Sequence, residues 1–168
     1  MEVRRLRSGE ALAYREVRLR ALRLAPYAFS ATFEEASARD ETAWQEFAER
    51  LATSEVTAGF VLDRGDGSFG GLVSVRFDSG VAETAEVNQM WVDEDLRGGG
   101  RAEALLDAAE RHAATAGVAR VRLWVTETNE RARRLYVRLG YAPTGATGPF
   151  PAGGLEIEFA KLLPVAGV

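Results

Sequence analysis

Two glycine-rich segments of the sequence have compositions that suit the binding of a phosphate group. Residues 65–70 read GDGSFG and match the dinucleotide-binding pattern G-x-G-x-x-G, whereas residues 97–102 read RGGGRA. The pattern binds a nucleotide only where its glycines open a helix whose N-terminal amides face the phosphates. Residues 65–70 lie between two segments with strand character, so we predict a hairpin turn there.

Residues 97–102 have the context that the first segment lacks, because they follow an apolar strand-like run and precede a long helical pattern. The first amides of a helix and its macrodipole attract an anion. Glycines let the backbone approach a ligand closely, and Arg97 and Arg101 add positive charge. No Lys-Ser/Thr pair follows the glycines, which excludes a Walker-type P-loop. We therefore predict a phosphate-binding loop.

The composition excludes several other kinds of chemistry. A chain of 168 residues fits one domain with a substantial core. It has no cysteine and a single histidine, His112, so we expect no disulfide, no thiolate chemistry and no metal site. The net charge of −4 disfavours nucleic acid as a partner. No apolar run approaches the roughly 18 residues of a membrane span and the N-terminus lacks a signal peptide, so we expect a cytoplasmic protein without a membrane partner.

Hydrophobic periodicity indicates the elements that position the loop. Helices are predicted at residues 9–24, 40–51, 101–117 and 129–140. Strands are predicted at residues 2–6, 57–62, 72–77, 81–92, 118–125 and 155–160, with a turn at 79–80 and a loop at 143–154. The order strand, helix, strand, helix in the second half predicts a right-handed crossover between two parallel strands. We predict an α/β domain with an antiparallel N-terminal part and one parallel crossover.

From residue 85 to residue 141 the sequence resembles the GNAT superfamily of acyl-CoA-dependent N-acetyltransferases. Arg97, Gly100 and Ala102 fit the family's loop pattern Q/R-x-x-G-x-G/A, and NERARRLYVRLGY is similar to its signature N-x-x-A-x-x-L-Y-x-x-x-G-F/Y. The strand-like segments AEVNQMWV and VRLWVTETN stand in the family's order around the loop and its helix. Two positions depart from the pattern: Asp93 stands where proline is usual, and Arg101 where an apolar residue is common.

The resemblance implies the GNAT fold, with a mixed, mostly antiparallel central sheet, a parallel pair of strands that splay apart, and about four helices. It implies acetyl-CoA as the co-substrate, paired through its pantetheine arm to the backbone of Met90, Trp91 and Val92. The residues implied for the pyrophosphate are Arg97, Gly98, Gly99, Gly100, Arg101 and Ala102. On the next helix, Asn129 and Ala132 would contact the cofactor and Arg134 or Arg131 would reach a phosphate. Asn129 would equally serve as an N-cap.

The same resemblance implies roles in acetyl transfer. Tyr136 would protonate the leaving thiolate, although its position would also suit packing within the core. Glu86 lies 11 residues before Arg97, the spacing of the catalytic glutamate in histone-acetylating relatives, and is the candidate base. Water chains, Glu127 or Asn88 are alternatives. The Val92 amide would stabilise the developing oxyanion.

We therefore predict an N-acetyltransferase that moves an acetyl group from acetyl-CoA to a primary amine of a small molecule or a peptide, by direct attack. The alternative is a non-catalytic acyl-CoA-binding sensor of the same fold. Family analogy also allows a homodimer. The acceptor pocket is expected between residues 25–35, the first two helices and the loop at 143–154, where the resemblance is least specific.

Overall fold

The computed structural model describes residues 1–77 and 83–164 of the chain. The strands are β1 (Glu2–Arg5), β2 (Thr57–Asp63), β3 (Phe69–Phe77), β4 (Thr84–Val92), β5 (Arg120–Thr126), β6 (Ala142–Pro149) and β7 (Leu155–Leu162). The helices are α1 (Ala11–Leu24), α2 (Phe33–Ser37), α3 (Glu41–Thr53), α4 (Arg101–Thr115) and α5 (Glu130–Arg138). Short 3-10 helices occupy Pro26–Ala28 and Glu94–Leu96.

The seven strands of the described residues join one sheet in the order β1-β2-β3-β4-β5-β7-β6. Every neighbouring pair is antiparallel except β4 and β5, which are parallel and are linked through α4. The predicted α/β architecture, a mostly antiparallel mixed sheet with one parallel pair, is confirmed. The crossover through α4 brings the start of that helix to the end of β4, which is where the predicted phosphate-binding loop lies.

The two faces of the sheet carry separate clusters of buried side chains. Alternation along β3 sends Val73 to the face covered by α4, with Leu105 and Leu106, and sends Leu72 to the face covered by α1 and α3. On the second face Trp44 is 1% exposed. The sheet is thus covered by helices on both faces.

The structure differs from the sequence prediction at one strand, β6, and agrees with it at the hairpin turn between β2 and β3. Residues 142–149 form the edge strand β6 against β7, although the sequence analysis predicted a loop at 143–154. Its prolines and glycines disfavour strands in general, but an edge strand needs hydrogen bonds on one side only. Residues 65–68 form the hairpin turn that was predicted, where Arg64 N donates to Ser68 O at 3.1 Å. The predicted turn at 79–80 lies outside the described residues.

Candidate active site

The parallel strands β4 and β5 separate after a short contact. Their register joins only residues 84–86 of β4 to residues 120–122 of β5. Beyond that contact β4 continues to Val92 and β5 to Thr126, with no further pairing between them in the described chain. The predicted splay is therefore present, and it opens toward the carboxyl ends of both strands, where ligands of open α/β sheets bind.

Gln89 breaks the regular course of β4 three residues after its pairing with β5 ends. Its φ of 60° is the only left-handed value at a non-glycine residue in the described chain. The β3–β4 register shifts at the same level, between Leu72 and Ser74. Such a residue costs about 1–3 kcal/mol and accompanies a bulge that bends the strand. Tyr14 on α1 donates a hydrogen bond to the Gln89 side-chain oxygen. The bulge, supported from α1, thus lies between the part of β4 that pairs with β5 and residues 90–92, which have no pairing with β5 in the described chain.

The end of β4 presents an open backbone edge. Asp93 N donates to Gly70 O at 2.8 Å and fixes this end of the strand against β3. Because the amides of a strand alternate in direction, those of Met90 and Val92 point toward the side from which β5 has separated. Arg97 Nε donates to the Val92 carbonyl at 2.9 Å. The Val92 N–H remains on the open edge.

Residues 97–102, which we name the glycine loop, start α4 with conformations that favour glycine. Gly98 has a φ of 86° and Gly100 a φ of 72°, and a Cβ at either position would meet nothing within 4 Å. Gly100 is the N-cap of α4 and supplies no side-chain cap. The first amides of the helix, at Arg101 and Ala102, thus face no capping side chain and suit an anion.

Both arginines of the glycine loop fold back onto the segment that precedes it. The Arg97 guanidinium lies 4.6 Å from the centre of the Trp91 ring. Arg101 Nη1 donates to the Leu96 carbonyl at 3.1 Å. These contacts stabilise the turn between β4 and α4, and they place two positive charges beside the open amides of the helix.

A cavity of about 370 Å³, the loop cavity, lies between the glycine loop, the end of β4 and α5. The predicted residues that line it are Met90, Trp91, Val92, Arg97, Gly98, Ala102, Asn129, Ala132 and Tyr136. Gly99, Gly100 and Arg101 complete the loop beside it. The structure does not bring Arg134 to the cavity: it is exposed and pairs with Glu130 at 3.6 Å. Arg131 and Arg138 line the cavity instead.

Arg138 is one residue that the sequence analysis did not single out. Its Nη2 lies 2.5 Å from the carboxylate of Glu103 in the first turn of α4. A hydrogen bond from the amide of Glu103 itself, together with Arg138, lowers the pKa of that carboxyl group. Arg138 thus offsets a negative charge that would otherwise repel an anion at this helix end.

A larger cavity of about 570 Å³, the sheet cavity, opens on the other side of the splay. It shares five lining residues with the loop cavity, which are Ala28, Met90, Asn129, Ala132 and Tyr136. The predicted catalytic residues Tyr136 and Glu86 both line it. The two cavities therefore meet at Tyr136, with Glu86 on the side of the sheet cavity.

Tyr136 is held as a neutral phenol at this junction. Its side chain is 7% exposed, and its ring packs edge-on against Tyr141 at 5.7 Å. Burial raises the pKa of Tyr136 to about 12, so the hydroxyl keeps its proton at neutral pH. No group in residues 1–77 or 83–164 forms a hydrogen bond with that hydroxyl. It is available to a ligand.

Glu86 is bound by two arginines. Arg122 Nη2 lies 3.2 Å from its carboxylate, and Arg76 Nη2 lies 3.7 Å from it. Guanidinium groups at these distances form charge-assisted contacts with a carboxylate. Glu86 is thus arranged as a fixed negative charge in the wall of the sheet cavity, rather than as an isolated, desolvated carboxylate.

Glu156 on β7 is a second carboxylate in the sheet cavity, which the sequence analysis missed. Burial raises the pKa of Glu156, and the charge of Glu86 raises it further. An elevated pKa suits a general base that works near neutral pH. In the sequence, Glu156 belongs to the alternating run LEIEFA, where a charged residue normally faces solvent, so only the placement of β7 beside β5 reveals it.

Asn129 fixes the start of α5, and Asp93 fixes the end of β4. The side chain of Asn129 accepts from Ala132 N at 3.2 Å and is the N-cap of α5. Asp93 is 6% exposed and accepts hydrogen bonds from Arg20, Arg64 and the Trp91 indole. Burial opposes its ionisation, but these bonds outweigh burial and hold the pKa of Asp93 below its usual value. The carboxylate thus has a definite structural use at the position where the resemblance in sequence leads us to expect proline.

Two other kinds of feature are absent from the described chain. Residues 1–77 and 83–164 contain no group of three or more acidic, histidine or cysteine side chains that could hold a metal ion. In the same residues, no helix combines the length and the apolar character that crossing a membrane requires.

Comparison with known proteins places these features in a family context. Residues 18–141 match the sequence profile of the Acetyltransferase (GNAT) family. An uncharacterised N-acetyltransferase of Methanocaldococcus jannaschii is 41% identical over 59 residues, which are 35% of this chain and 26% of that protein. The chain thus matches about a quarter of the length of that relative.

Solved structures share the fold over the whole domain. A GNAT-family acetyltransferase from Streptococcus pneumoniae superposes with a TM-score of 0.82 at 18% identity, covering 97% of this chain and 99% of that one. The YncA protein of Salmonella typhimurium, solved with its cofactor acetyl-CoA, superposes with a TM-score of 0.76 at 19% identity, covering 100% and 96%. The arrangement of strands and helices described above is the one that these proteins share.

Proposed function

This chain belongs to the GNAT family of acetyltransferases, and we propose that it transfers an acetyl group from acetyl-CoA to a primary amine. The observation that carries the proposal is the position of Tyr136 at the meeting point of the loop cavity and the sheet cavity. One cavity would hold the acetyl donor and the other the acceptor. A neutral phenol with a free hydroxyl lies between them.

The loop cavity suits coenzyme A through its backbone groups. The open edge at Met90 and Val92 offers amide groups to a pantetheine arm, as an added strand would use them. The amides at the start of α4 would bind the pyrophosphate, where Gly98 and Gly100 present no side chain to obstruct it. Arg97, Arg101, Arg131 and Arg138 supply positive charge around this site.

Acetyl-CoA supplies an acyl thioester, whose carbonyl carbon forms a bond to nitrogen while its bond to sulfur breaks. Tyr136 donates its phenolic proton to the leaving sulfur, and the proton released by the acylated nitrogen restores the phenol. The Val92 amide donates a hydrogen bond to the carbonyl oxygen as negative charge develops there. The Tyr136 hydroxyl thus handles the proton of the reaction, and the Val92 amide handles the developing charge.

The two carboxylates of the sheet cavity prepare the acceptor. An aliphatic amine arrives as an ammonium ion, because its pKa is about 10. Glu86, fixed by Arg122, attracts that ion, and Glu156 accepts one of its protons and leaves a nucleophilic amine. Glu156 is preferred over Glu86 as the base because its pKa is raised, whereas Glu86 is paired with arginine.

The proposal is tested by mixing the protein with acetyl-CoA and a panel of small amines and peptides, and by following free thiol. We expect thiol release that depends on the acceptor, with the acetylated amine as the product in equal amount. Binding of acetyl-CoA without acceptor-dependent thiol release across the panel would instead identify a sensor module, and would overturn the catalytic proposal.

A further inference from the structure

We propose that Arg18 makes the sheet cavity selective for small amines that also carry an anionic group, such as amino carboxylates. This inference rests on the proposed function, because it assigns the acceptor of that reaction. Arg18 lies on α1 and lines the sheet cavity, so it shares the cavity with Glu86, Glu156 and Tyr136. It would be a specificity-determining residue that binds the acceptor away from the reacting nitrogen.

Arg18 is buried without a counter-charge. Its side chain is 8% exposed, and its Nη1 is fully buried and forms no hydrogen bond. Within the described chain, Arg18 has no ion pair and no hydrogen bond from any guanidinium nitrogen. It lies over the ring of Phe29, whose centre is 4.7 Å from the guanidinium carbon.

Two other partly buried arginines, Arg20 and Arg4, are paired with carboxylates. Arg20, two residues further along α1, binds Asp93 through two nitrogens at 2.9 and 2.7 Å. Arg4 binds Glu10 and Asp63. Each of these partly buried arginines has carboxylate partners in the protein, as buried charges generally do. Arg18 lacks one, and it faces a cavity.

An uncompensated buried cation is unfavourable in the free protein, because the aromatic ring replaces only part of its lost hydration. Burial accordingly lowers the pKa of Arg18. An anion that enters the sheet cavity would remove this cost. A guanidinium group binds a carboxylate or phosphonate through two parallel hydrogen bonds, which fixes the orientation of the ligand as well as its charge.

The sheet cavity is lined by charges of both signs. Glu86 and Glu156 attract the ammonium group of an acceptor, and Arg18 attracts its anionic group. The volume of about 570 Å³ is in the range of small-molecule sites rather than of extended protein interfaces. A zwitterionic small molecule is the ligand that satisfies both signs of charge.

The test uses matched acceptors and follows free thiol from acetyl-CoA. Each set contains an amino acid, the aminophosphonate analogue, and the amine that lacks the anionic group. The wild-type protein should favour an anionic member over the matched amine by at least about tenfold in kcat/KM, as loss of a charge-assisted pair predicts. The carboxylate and phosphonate members of a set then show which anion fits.

Two variants separate selectivity from folding. Arg18→Met keeps an unbranched side chain, although a shorter one, and removes its charge. It should abolish most of the preference while raising Tm, because it removes an unpaired buried charge. Arg18→Lys keeps the charge without the planar fork and should retain part of the preference. Equal turnover of anionic and neutral acceptors by the wild type, or equal loss for both in Arg18→Met, would overturn the inference.

A binding measurement distinguishes this inference from the proposed function. If no acceptor supports thiol release, the proposed function fails. In that case an increase in Tm with amino carboxylates that is absent in Arg18→Met would still support an anion site at Arg18. The absence of such an increase would overturn the inference as well. If thiol release occurs without preference for an anion, only the inference fails.

Discussion

Asp93, the residue that follows β4, is bound through both carboxylate oxygens by Arg20 on α1, at 2.9 and 2.7 Å. The same carboxylate also accepts from Arg64 at 2.9 Å. One side chain therefore joins α1, the β2–β3 hairpin and the start of the segment that leads to the glycine loop. It fixes the end of β4, whose backbone forms the wall of the loop cavity.

Replacement of this carboxylate should destabilise the protein. Asp93→Asn leaves Arg20 and Arg64 without their main partner, and because both arginines are partly exposed we expect a loss of about 2 kcal/mol in the free energy of unfolding. Urea denaturation measures it. Asp95→Asn is the matched control, because the exposed Asp95 also pairs with Arg64, at 3.3 Å, and should change stability by less than about 0.5 kcal/mol.

The contribution of Asp93 should also depend on pH. Its pKa is lowered in the folded state, so its stabilising effect is present above the unfolded pKa of about 3.9 and is lost as the pH falls through the folded value. Stability curves of the wild type and Asp93→Asn should therefore converge in acid. Curves that stay parallel from neutral pH to pH 2 would contradict this role.

Removal of the Tyr136 hydroxyl should affect turnover far more than cofactor binding. We expect Tyr136→Phe to lower kcat by about a hundredfold, within the range of general acid catalysis, with little change in the Kd for acetyl-CoA. Steady-state kinetics and calorimetry measure the two quantities. Tyr141→Phe is the control, because it removes a nearby phenol that binds Glu110, and it should alter stability rather than kcat. Equal changes in kcat and Kd for Tyr136→Phe would remove its role as the acid.

The two carboxylates of the sheet cavity should differ in the pH profile of kcat/KM. Glu156 has a raised pKa, so activity of the wild type should fall in acid with a midpoint above that of an ordinary glutamate, about 4.3. Glu156→Gln should remove this acid limb. Glu86→Gln should keep the limb but move it to lower pH, because a negative charge that raises the pKa of Glu156 is gone. The reverse pattern would identify Glu86 as the base.

The glycine loop offers a test in which backbone strain and ligand binding are separated. Gly100→Ala forces a side chain into a left-handed conformation and should cost about 1 kcal/mol of stability, together with about a tenfold rise in the Kd for acetyl-CoA. Gly65→Ala has the same kind of conformation, with φ of 87°, in the β2–β3 turn. It should cost similar stability and leave cofactor affinity unchanged. A similar rise in Kd for both variants would contradict the assignment of the loop.

Local patterns predicted much of this fold. The helical periodicity and the caps at Asp40 and Asn129 gave helices that begin where they were expected, since both side chains accept from amides three residues further on. The same patterns separated the glycine loop from the hairpin turn at residues 65–68. Strand β6 was missed because it contains prolines and glycines, which have a low strand propensity but can be accommodated in an edge strand.

The unpredicted parts of the site depend on contacts between distant segments. Nothing in the neighbourhood of Gln89 indicates a left-handed residue, which depends on Tyr14, 75 positions away. Glu156 lies in an ordinary strand pattern and Arg18 in an ordinary helix pattern. Glu156 becomes a candidate site residue only because it shares the sheet cavity with Glu86, and Arg18 only because it faces that cavity without a carboxylate partner. Sequence periodicity carries no information about such pairings.

Strand β4 meets β5 over three residue pairs, fewer than any other neighbouring strands of the described sheet. The molecule is therefore two half-sheets, of four and three strands, that share a narrow seam. A pantetheine arm bound along the open edge of β4 would supply hydrogen bonds where β4 and β5 no longer pair. Amide hydrogens at residues 90–92 should then exchange with solvent more slowly once coenzyme A is bound. The co-substrate would thus help to hold together the two halves of the sheet that binds it.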